Sequence, residues 1–384
     1  QIGLFDERMN ALEDWDFVLR VGNRFTAYHQ PKPLIYYGLH GANRVAEMAG
    51  KTDKEKALIR KKIENPYSQY RVLLVTPPES STARSHKQVF EYIETTIKKM
   101  GWIDYRTATH TTIAGQAEKF KPHLIVYEYP GIQPMESFIS GYETLGLCIE
   151  DPWGHYRMAD KIPFLDWIAT NERNCVERYP QKTLLFPSLS AAEVHIPKKD
   201  DSKACDVVVV GHPYPERIAA VNALIPLIDQ GVKVVLVGAT WESHAPRGAT
   251  VVSQVVEGDE YAAWCHNAKV TLVINRISPR QSPDCGITPV TPNRGFAEAS
   301  MGSCILIDDK RADLPLYFEP KKEIELWRDH DEMIRKIKQL LKSPKKREEL
   351  RAAAKKRAVK YTYRARLKRL FMLTQGYREN DELP

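Results

Sequence analysis

Residues 206–238 read DVVVVGHPYPERIAAVNALIPLIDQGVKVVLVG. Four consecutive valines stop at Gly211, apolar positions then recur with helical spacing from 216 to 228, and a second apolar run, 233–237, stops at Gly238. A short run that is apolar at every position suits a strand covered on both faces, the condition of a parallel sheet. Strand, helix and strand in one stretch form a crossover unit. A glycine at each strand end allows backbone or ligand to approach closely, which makes Gly211 and Gly238 candidates for lining a site.

The same grammar extends in both directions. Downstream, the pattern predicts strands at 251–256, 270–274 and 304–307 and helices at 259–266 and 294–301. Upstream it predicts strands at 71–75, 123–127, 145–149, 167–170 and 183–186. A helix carries Val89, Ile93, Ile97 and Met100, with Gly101 as its stop. A polar stretch, 198–203, separates the two series. The expected fold class is α/β, with two Rossmann-like domains and a ligand cleft between the C-terminal edges of their sheets. Before them, 13–21 reads as a short helix, 25–28 and 34–37 as strands, and the Lys- and Glu-rich 46–64 as a linker helix.

Bulk properties agree with a packed globular enzyme. The 384 residues exceed one core's usual size, and 43% hydrophobic with 27% charged residues excludes disordered and collagenous classes. No apolar run reaches the ~18 residues of a membrane span, and residues 1–8 lack a signal-peptide pattern. Gln1 is not an initiator Met, so the opening reads as a boundary within a longer chain. The six cysteines are scattered singly with no CxxC pair, which argues for reduced structural thiols, against a zinc site and for a cytoplasmic location. The net charge of +7 is concentrated in 342–369, read as one long basic helix. Such a helix suits an anionic membrane surface, a phosphorylated acceptor or nucleic acid. It equally suits a solvated face, since Leu350, Ala354, Val359, Leu367 and Leu370 recur on it.

The chemistry concentrates in residues 275–302, NRISPRQSPDCGITPVTPNRGFAEASMG. This stretch leaves an apolar strand, crosses a Pro-rich loop and enters a helix marked by Pro292 and Asn293. A helix N-terminus with free N–H groups, flanked by Arg276 and Arg294, suits a diphosphate. Glu298, four residues past Arg294, can accept hydrogen bonds from a ribose diol, or pair with Arg294 as a surface ion pair. In the first series Asp151 stands at a strand end, placed either as a general base facing the cleft or as the starter of the Asp-Pro turn. His155 and His212 are further acceptor- or phosphate-side candidates.

The second half resembles the CgeB-like and group 1 glycosyltransferases. The matching residues are 206–211, Arg217, 270–276, then Arg294, Phe296, Glu298 and Gly302, followed by Pro344, Arg347 and 361–363. The chain departs from the pattern in spacing Phe296 one residue from Glu298 and in placing Tyr361 where His is usual. The resemblance covers roughly 67–370 and implies the GT-B fold. Activity is then sugar transfer from a nucleotide-diphosphate donor to a glycan, lipid-linked or protein acceptor, with no obligatory metal or cofactor. The donor site would comprise Gly211, Arg217, Gly238, Arg276, Asn293, Arg294, Gly295 and Glu298, and 148–153 resembles the family's acceptor-side segment.

Residues 1–45 separately resemble the end of a family 2 (GT-A) glycosyltransferase domain, which implies a base at Asp14 and a diphosphate-side His40. The resulting division is 1–50 GT-A-like fragment, 51–66 helical linker, 67–200 acceptor domain, 201–365 donor domain and 366–384 tail. The protein is expected in the cytoplasm or peripherally at the inner face of the membrane, which the basic C-terminal helix would contact, with no nucleic-acid partner. A GT-B nucleotide-sugar epimerase and a non-catalytic glycan-binding scaffold are the alternatives.

Overall fold

Apolar runs that alternate with amphipathic stretches can hide both faces of a sheet only under helices, and the chain folds accordingly. A computed structural model describes residues 70–78, 84–101, 103–148, 151, 157–179, 182–185, 199–276 and 295–374. The expected GT-A-like fragment and linker, with Asp14 and His40, lie outside these residues.

The first sheet is built from β1 (Tyr70–Val75), β2 (Ile103–Ala108), β3 (Leu124–Glu128), β4 (Thr144–Cys148), β5 (Trp167–Thr170) and β6 (Lys182–Leu185). Its order is β2-β1-β3-β4-β5-β6 and every pairing is parallel. Helix α1 (Arg84–Met100) covers one face, and α2 (Ile113–Phe120) the other. Gly101 ends α1 with φ +70°, the left-handed stop its position implied. Strand β2 was not foreseen. It lies at the sheet edge with a polar, half-exposed sequence, so it lacks the continuous apolar run of a central strand.

The second sheet comprises β7 (Cys205–Val210), β8 (Val234–Val237), β9 (Thr250–Val252), β10 (Ala268–Val273), β11 (Ile305–Asp308) and β12 (Glu325–Trp327). Its order is β12-β11-β10-β7-β8-β9, again all parallel. The expected helix over 216–228 is two: α3 (Pro215–Asn222) and α4 (Ile225–Ile228). Pro226 explains the break, because it has no N–H and its ring clashes with the carbonyl a turn earlier. The strand expected over 251–256 is shorter because β9 is an edge strand with β8 as its one neighbour. Helices α3, α4 and α8 (His330–Lys342) cover one face; α5 (Gly258–Asn267), α6 (Phe296–Ser300) and α9 (Pro344–Ala358) cover the other, and α7 (Leu314–Tyr317) packs beside α6.

The basic C-terminal segment corrects the expectation most clearly. It is not one long helix: α9 stops, a turn at 359–361 leaves Val359 64% exposed, and α10 (Tyr363–Thr374) follows. Helix α10 is not a tail either. Tyr363, Leu367, Leu370 and Phe371 are buried in the first sheet's core beside α1, so the last described helix crosses back to close the domain that the first described strand opens. Burying four such side chains contributes at most about 1.5–3 kcal/mol each. Among the described residues no helix is long and apolar enough to cross a membrane, and the five described cysteines are buried thiols outside any disulfide.

Candidate functional site

In the second sheet the strand order reverses between β7 and β10, the point where open α/β sheets hold ligands. The loop after β7 and the end of β10 converge there on one aromatic ring. Tyr214, set between Pro213 and Pro215 at the start of α3, carries the Arg276 guanidinium 4.2 Å from its ring centroid and that of Arg217 at 5.2 Å. Cations over a tyrosine face are held by the ring quadrupole, and two on one ring concentrate positive charge. Arg217 is 4% exposed and committed to the fold: its Nε donates to the Ile274 carbonyl at 3.3 Å and its Nη1 to the His212 carbonyl at 3.0 Å. Arg276 is half-buried. Beside it, Asn275 donates through its backbone N and its Nδ2 to the two oxygens of Asp308, at 2.6 and 2.7 Å. Burial is the largest influence on that carboxyl and raises its pKa against these hydrogen bonds.

The two strand-end glycines have a structural explanation. At Gly238 (φ +151°) a Cβ would meet the Gly211 carbonyl oxygen at 2.5 Å, and the Trp241 indole donates to that same oxygen at 2.6 Å. Gly238 is thus required so that two strand ends can touch, which is packing of backbone on backbone rather than room for a ligand. Gly211 (φ +122°) lies in the same junction and opens the loop that carries Tyr214.

A second group surrounds the start of α6. The helix begins at Phe296, two residues later than expected, with Gly295 as N-cap at φ +88°. Glu298 is 0% exposed; Oε2 accepts from the Gly295 backbone N at 2.7 Å and Oε1 from the Tyr261 hydroxyl at 2.5 Å. The expected surface pairing with Arg294 is thereby corrected in part: Glu298 faces inward and accepts from the N-cap backbone N–H of its own helix, one half of a capping box. Asn293 and Arg294 lie outside the described residues.

On the first sheet, Asp151 does not stand open at a cleft. It is 0% exposed, and Oδ2 accepts from Thr170 Oγ1 at 2.6 Å and from the Tyr179 hydroxyl at 2.8 Å, while Asn171 Oδ1 accepts from its backbone N at 2.9 Å. Burial pushes its pKa up from 3.8 to about 7, the two hydrogen bonds oppose this, and Glu172 adds to it. The carboxyl ties the end of β4 to β5 and to the turn at 173–178, which corrects the reading of it as a solvent-facing base. His155 lies outside the described residues. His212 is exposed and its ring sits edge-on to Tyr214, centroids 6.3 Å apart.

The two lobes approach through their strand ends. Arg311, after β11, is 5% exposed and doubly hydrogen-bonded to Asp313, at 2.6 and 3.1 Å. Burial would lower its pKa, but the Asp313 bond and the charges of Asp313 and of Glu172, after β5, outweigh it and raise it. Tyr214, Tyr261, Asn275 and Asp308 were not singled out from sequence. For Tyr214 the signal was available in its bracketing prolines; for the others there was none. No group of three or more His, Cys, Asp or Glu able to hold a metal occurs among the described residues.

Comparison with known proteins bears on the fold. Residues 204–372 match the family model described as glycosyl transferase-like. No curated protein matches the chain. Among solved structures, sucrose-phosphate synthase from Thermosynechococcus elongatus superposes with a TM-score of 0.57 at 12% identity, covering 80% of this chain and 98% of that one. A glycosyltransferase from Rickettsia africae gives 0.56 at 8%, covering 82% and 100%. HepE of Anabaena, in complex with UDP and glucose, gives 0.54 at 9%, covering 80% and 99%. The chain therefore has the GT-B fold, two parallel-sheet domains with flanking helices. Residues 204–372, most of its second half, are glycosyl transferase-like.

Proposed function

We propose that the protein transfers a sugar from a nucleotide-diphosphate donor to a glycan, lipid-linked or protein acceptor, and that the donor's diphosphate lies over the Tyr214 stack. The observation that carries this is the convergence of Arg217 and Arg276 on one ring at the strand-order switch point. Arg217 is spent on two carbonyls, so it sets the loop; Arg276, half-buried at the rim, is the cation that meets phosphate oxygens and stabilises the leaving diphosphate. Arg294 and Asn293 would complete the cradle, and Gly295 and Glu298 fix the start of the helix that follows them in sequence. Solved neighbours of the same fold are complexes with UDP and with UDP-glucose, in keeping with such a donor.

Because Asp151 is sealed in the interior, we assign acceptor-side proton transfer to His155 and a positioning role to Asp151. The CgeB-like subtype, and a GT-A-like origin for residues 1–45 with Asp14 as a second base, complete the reading. Calorimetric titration with UDP, GDP and dTDP is the test. Losing a charge-assisted phosphate contact costs about 1.5–3 kcal/mol, so Arg276→Ala should weaken the nucleotide that binds by roughly 10- to 100-fold. No binding of any of the three nucleotides, or equal affinity in native and variant proteins, overturns the donor site.

A further inference from the structure

Surface cations of the second lobe meet glutamates around α8 and the first half of α9: Arg328, Lys336 and Arg351 pair at 3.2, 3.0 and 3.7 Å. Beyond Glu349 the acids end. Residues 350–374 hold nine Lys and Arg and no Asp or Glu. Of these cations, Arg357 lies 3.8 Å from Glu323 and donates to the Tyr317 carbonyl at 2.7 Å, and Arg366 is buried. Lys355, Lys356, Lys360, Arg364 and Lys368 are exposed, and none has an ion pair or side-chain hydrogen bond among the described residues. Like charges without counter-charges repel one another, a cost that an anionic partner removes.

The fold gathers these five around a bend. Lys355 and Lys356 stand in the last turn of α9, Lys360 in the turn at 359–361, and Arg364 and Lys368 one helical turn apart on the solvent side of α10. The bend has a fixed base. Ala358 is 0% and Tyr361 4% exposed, and the Tyr361 ring packs edge-on to Phe296 and Tyr317, centroids 5.3 and 5.6 Å apart. Val359 and Lys360, between those anchors, protrude, with Val359 64% exposed. A lone exposed valine is ordinary on a protein surface. One held at the tip of a bend, flanked in sequence by uncompensated cations on both sides, combines two features that a single surface satisfies.

Anionic headgroups attract Lys and Arg, lysine stems lie along the acyl boundary while their ammonium groups stay in water, and an apolar tip enters that boundary. A nucleic acid would use the cations but set Val359 against phosphates. The segment's three aromatic residues, Tyr361, Tyr363 and Phe371, are buried and cannot stack on bases. We propose that the bend between α9 and α10, with Val359 at its tip and Lys355, Lys356, Lys360, Arg364 and Lys368 around it, docks on an anionic lipid bilayer. The inference goes beyond the donor reading and does not rest on it.

Sedimentation of the full chain with vesicles tests it. The protein should bind vesicles of equal parts phosphatidylglycerol and phosphatidylcholine, ignore phosphatidylcholine alone, and detach as salt rises above ~0.1 M. Each cation near the surface contributes about fivefold in affinity, so Lys356→Glu with Lys360→Glu should weaken binding at least ~25-fold. Val359→Asp should weaken it about tenfold, and Val359→Trp should tighten it, since Trp favours the interface. Lys119→Glu with Lys338→Glu makes the same charge change on α2 and α8, which cover the opposite faces of the two sheets, and should bind as the native protein does. Circular dichroism confirms that the variants, all at exposed positions, are folded. The proposal is overturned by absence of binding to the anionic vesicles, by equal losses in the two charge-reversed pairs, or by Val359→Asp binding like the native protein. It is overturned equally if single-stranded RNA, and not vesicles, binds through Lys356 and Lys360. Failure of the donor reading shows separately, as absence of nucleotide binding whatever the vesicles do.

Discussion

Replacing Asp151 by Asn tests whether its carboxyl belongs to the interior or to the chemistry. In the fold its pKa rises from 3.8 to about 7. At 1.36 kcal/mol per unit, a displacement of roughly three units corresponds to about 4 kcal/mol. The sign follows from which state holds the proton. Between pH ~4 and ~7 the folded chain keeps it and the unfolded chain does not, so stability falls as pH rises through that window and levels off above it. From pH 5 to pH 8 this one group should remove about 3 kcal/mol. Asn does not titrate, so that loss should vanish in the variant. The amide keeps an acceptor for Thr170 and Tyr179, and its NH₂ falls where Asp151 Oδ1 has no partner among the described residues. That unpaired donor costs about 1–3 kcal/mol. Asp151→Asn should therefore be the less stable protein at pH 5 and equal or better at pH 8. Urea unfolding followed by ellipticity at pH 5, 6, 7 and 8 measures this directly. Parallel stability curves for the two proteins would refute the reasoning, because they would mean that the carboxyl is already ionised in the fold. The base role expected from sequence would then return.

Glycine chemistry provides a paired test. Gly238→Ala should cost more than about 3 kcal/mol, since strain at positive φ adds to the contact with the Gly211 carbonyl, whereas Gly231→Ala (φ +86°, nothing within 4 Å) should cost only about 1–2; equal midpoint shifts in urea would contradict the backbone contact. Phe371→Ala, at 0% exposure in the first domain's core, should destabilise by about 3–5 kcal/mol, and a loss below 1 kcal/mol would mean that α10 does not dock there. Arg366 is 5% exposed, stacked 4.7 Å from the Tyr361 ring centroid, and its Nε and Nη2 lack hydrogen-bond partners among the described residues; burial lowers its pKa to about 10. Arg366→Met should stabilise the protein by about 1–4 kcal/mol in thermal unfolding, and a lower melting temperature would show that the charge is compensated.

What could be read from sequence divides along a physical line. Central strands announce themselves because both faces are covered: CDVVVV, VVLV and AKVTLV are apolar almost throughout, and the second sheet follows from them, as the first does from LIVYE and TLGLC. Edges do not. IDYRTA at β2 and ELW at β12 each have one neighbour, need little apolar surface, and resemble loop. The basic C-terminal segment misled for a related reason: its charges dominate the composition, while the few apolar residues that direct α10 to the first sheet are distributed among them. For the site, residue type was legible but direction was not. A carboxylate at a strand end has the same sequence whether it faces solvent or, as Asp151 does, a buried Thr–Tyr pair. Arg276 was legible as a cation near a strand end, but the ring that orients it comes from Tyr214, sixty-two residues earlier. Neighbouring strand ends in a parallel sheet come from distant sequence, so a site at the switch point joins residues that no local pattern connects. That is also why the pairing of Arg276 with Tyr214 is the feature on which nucleotide binding should depend. Tyr214→Ala, which leaves both arginines in place but removes their common ring, should reduce nucleotide affinity by a smaller factor than Arg276→Ala does; affinity equal to the native protein's would mean that Arg276 finds the phosphate without it.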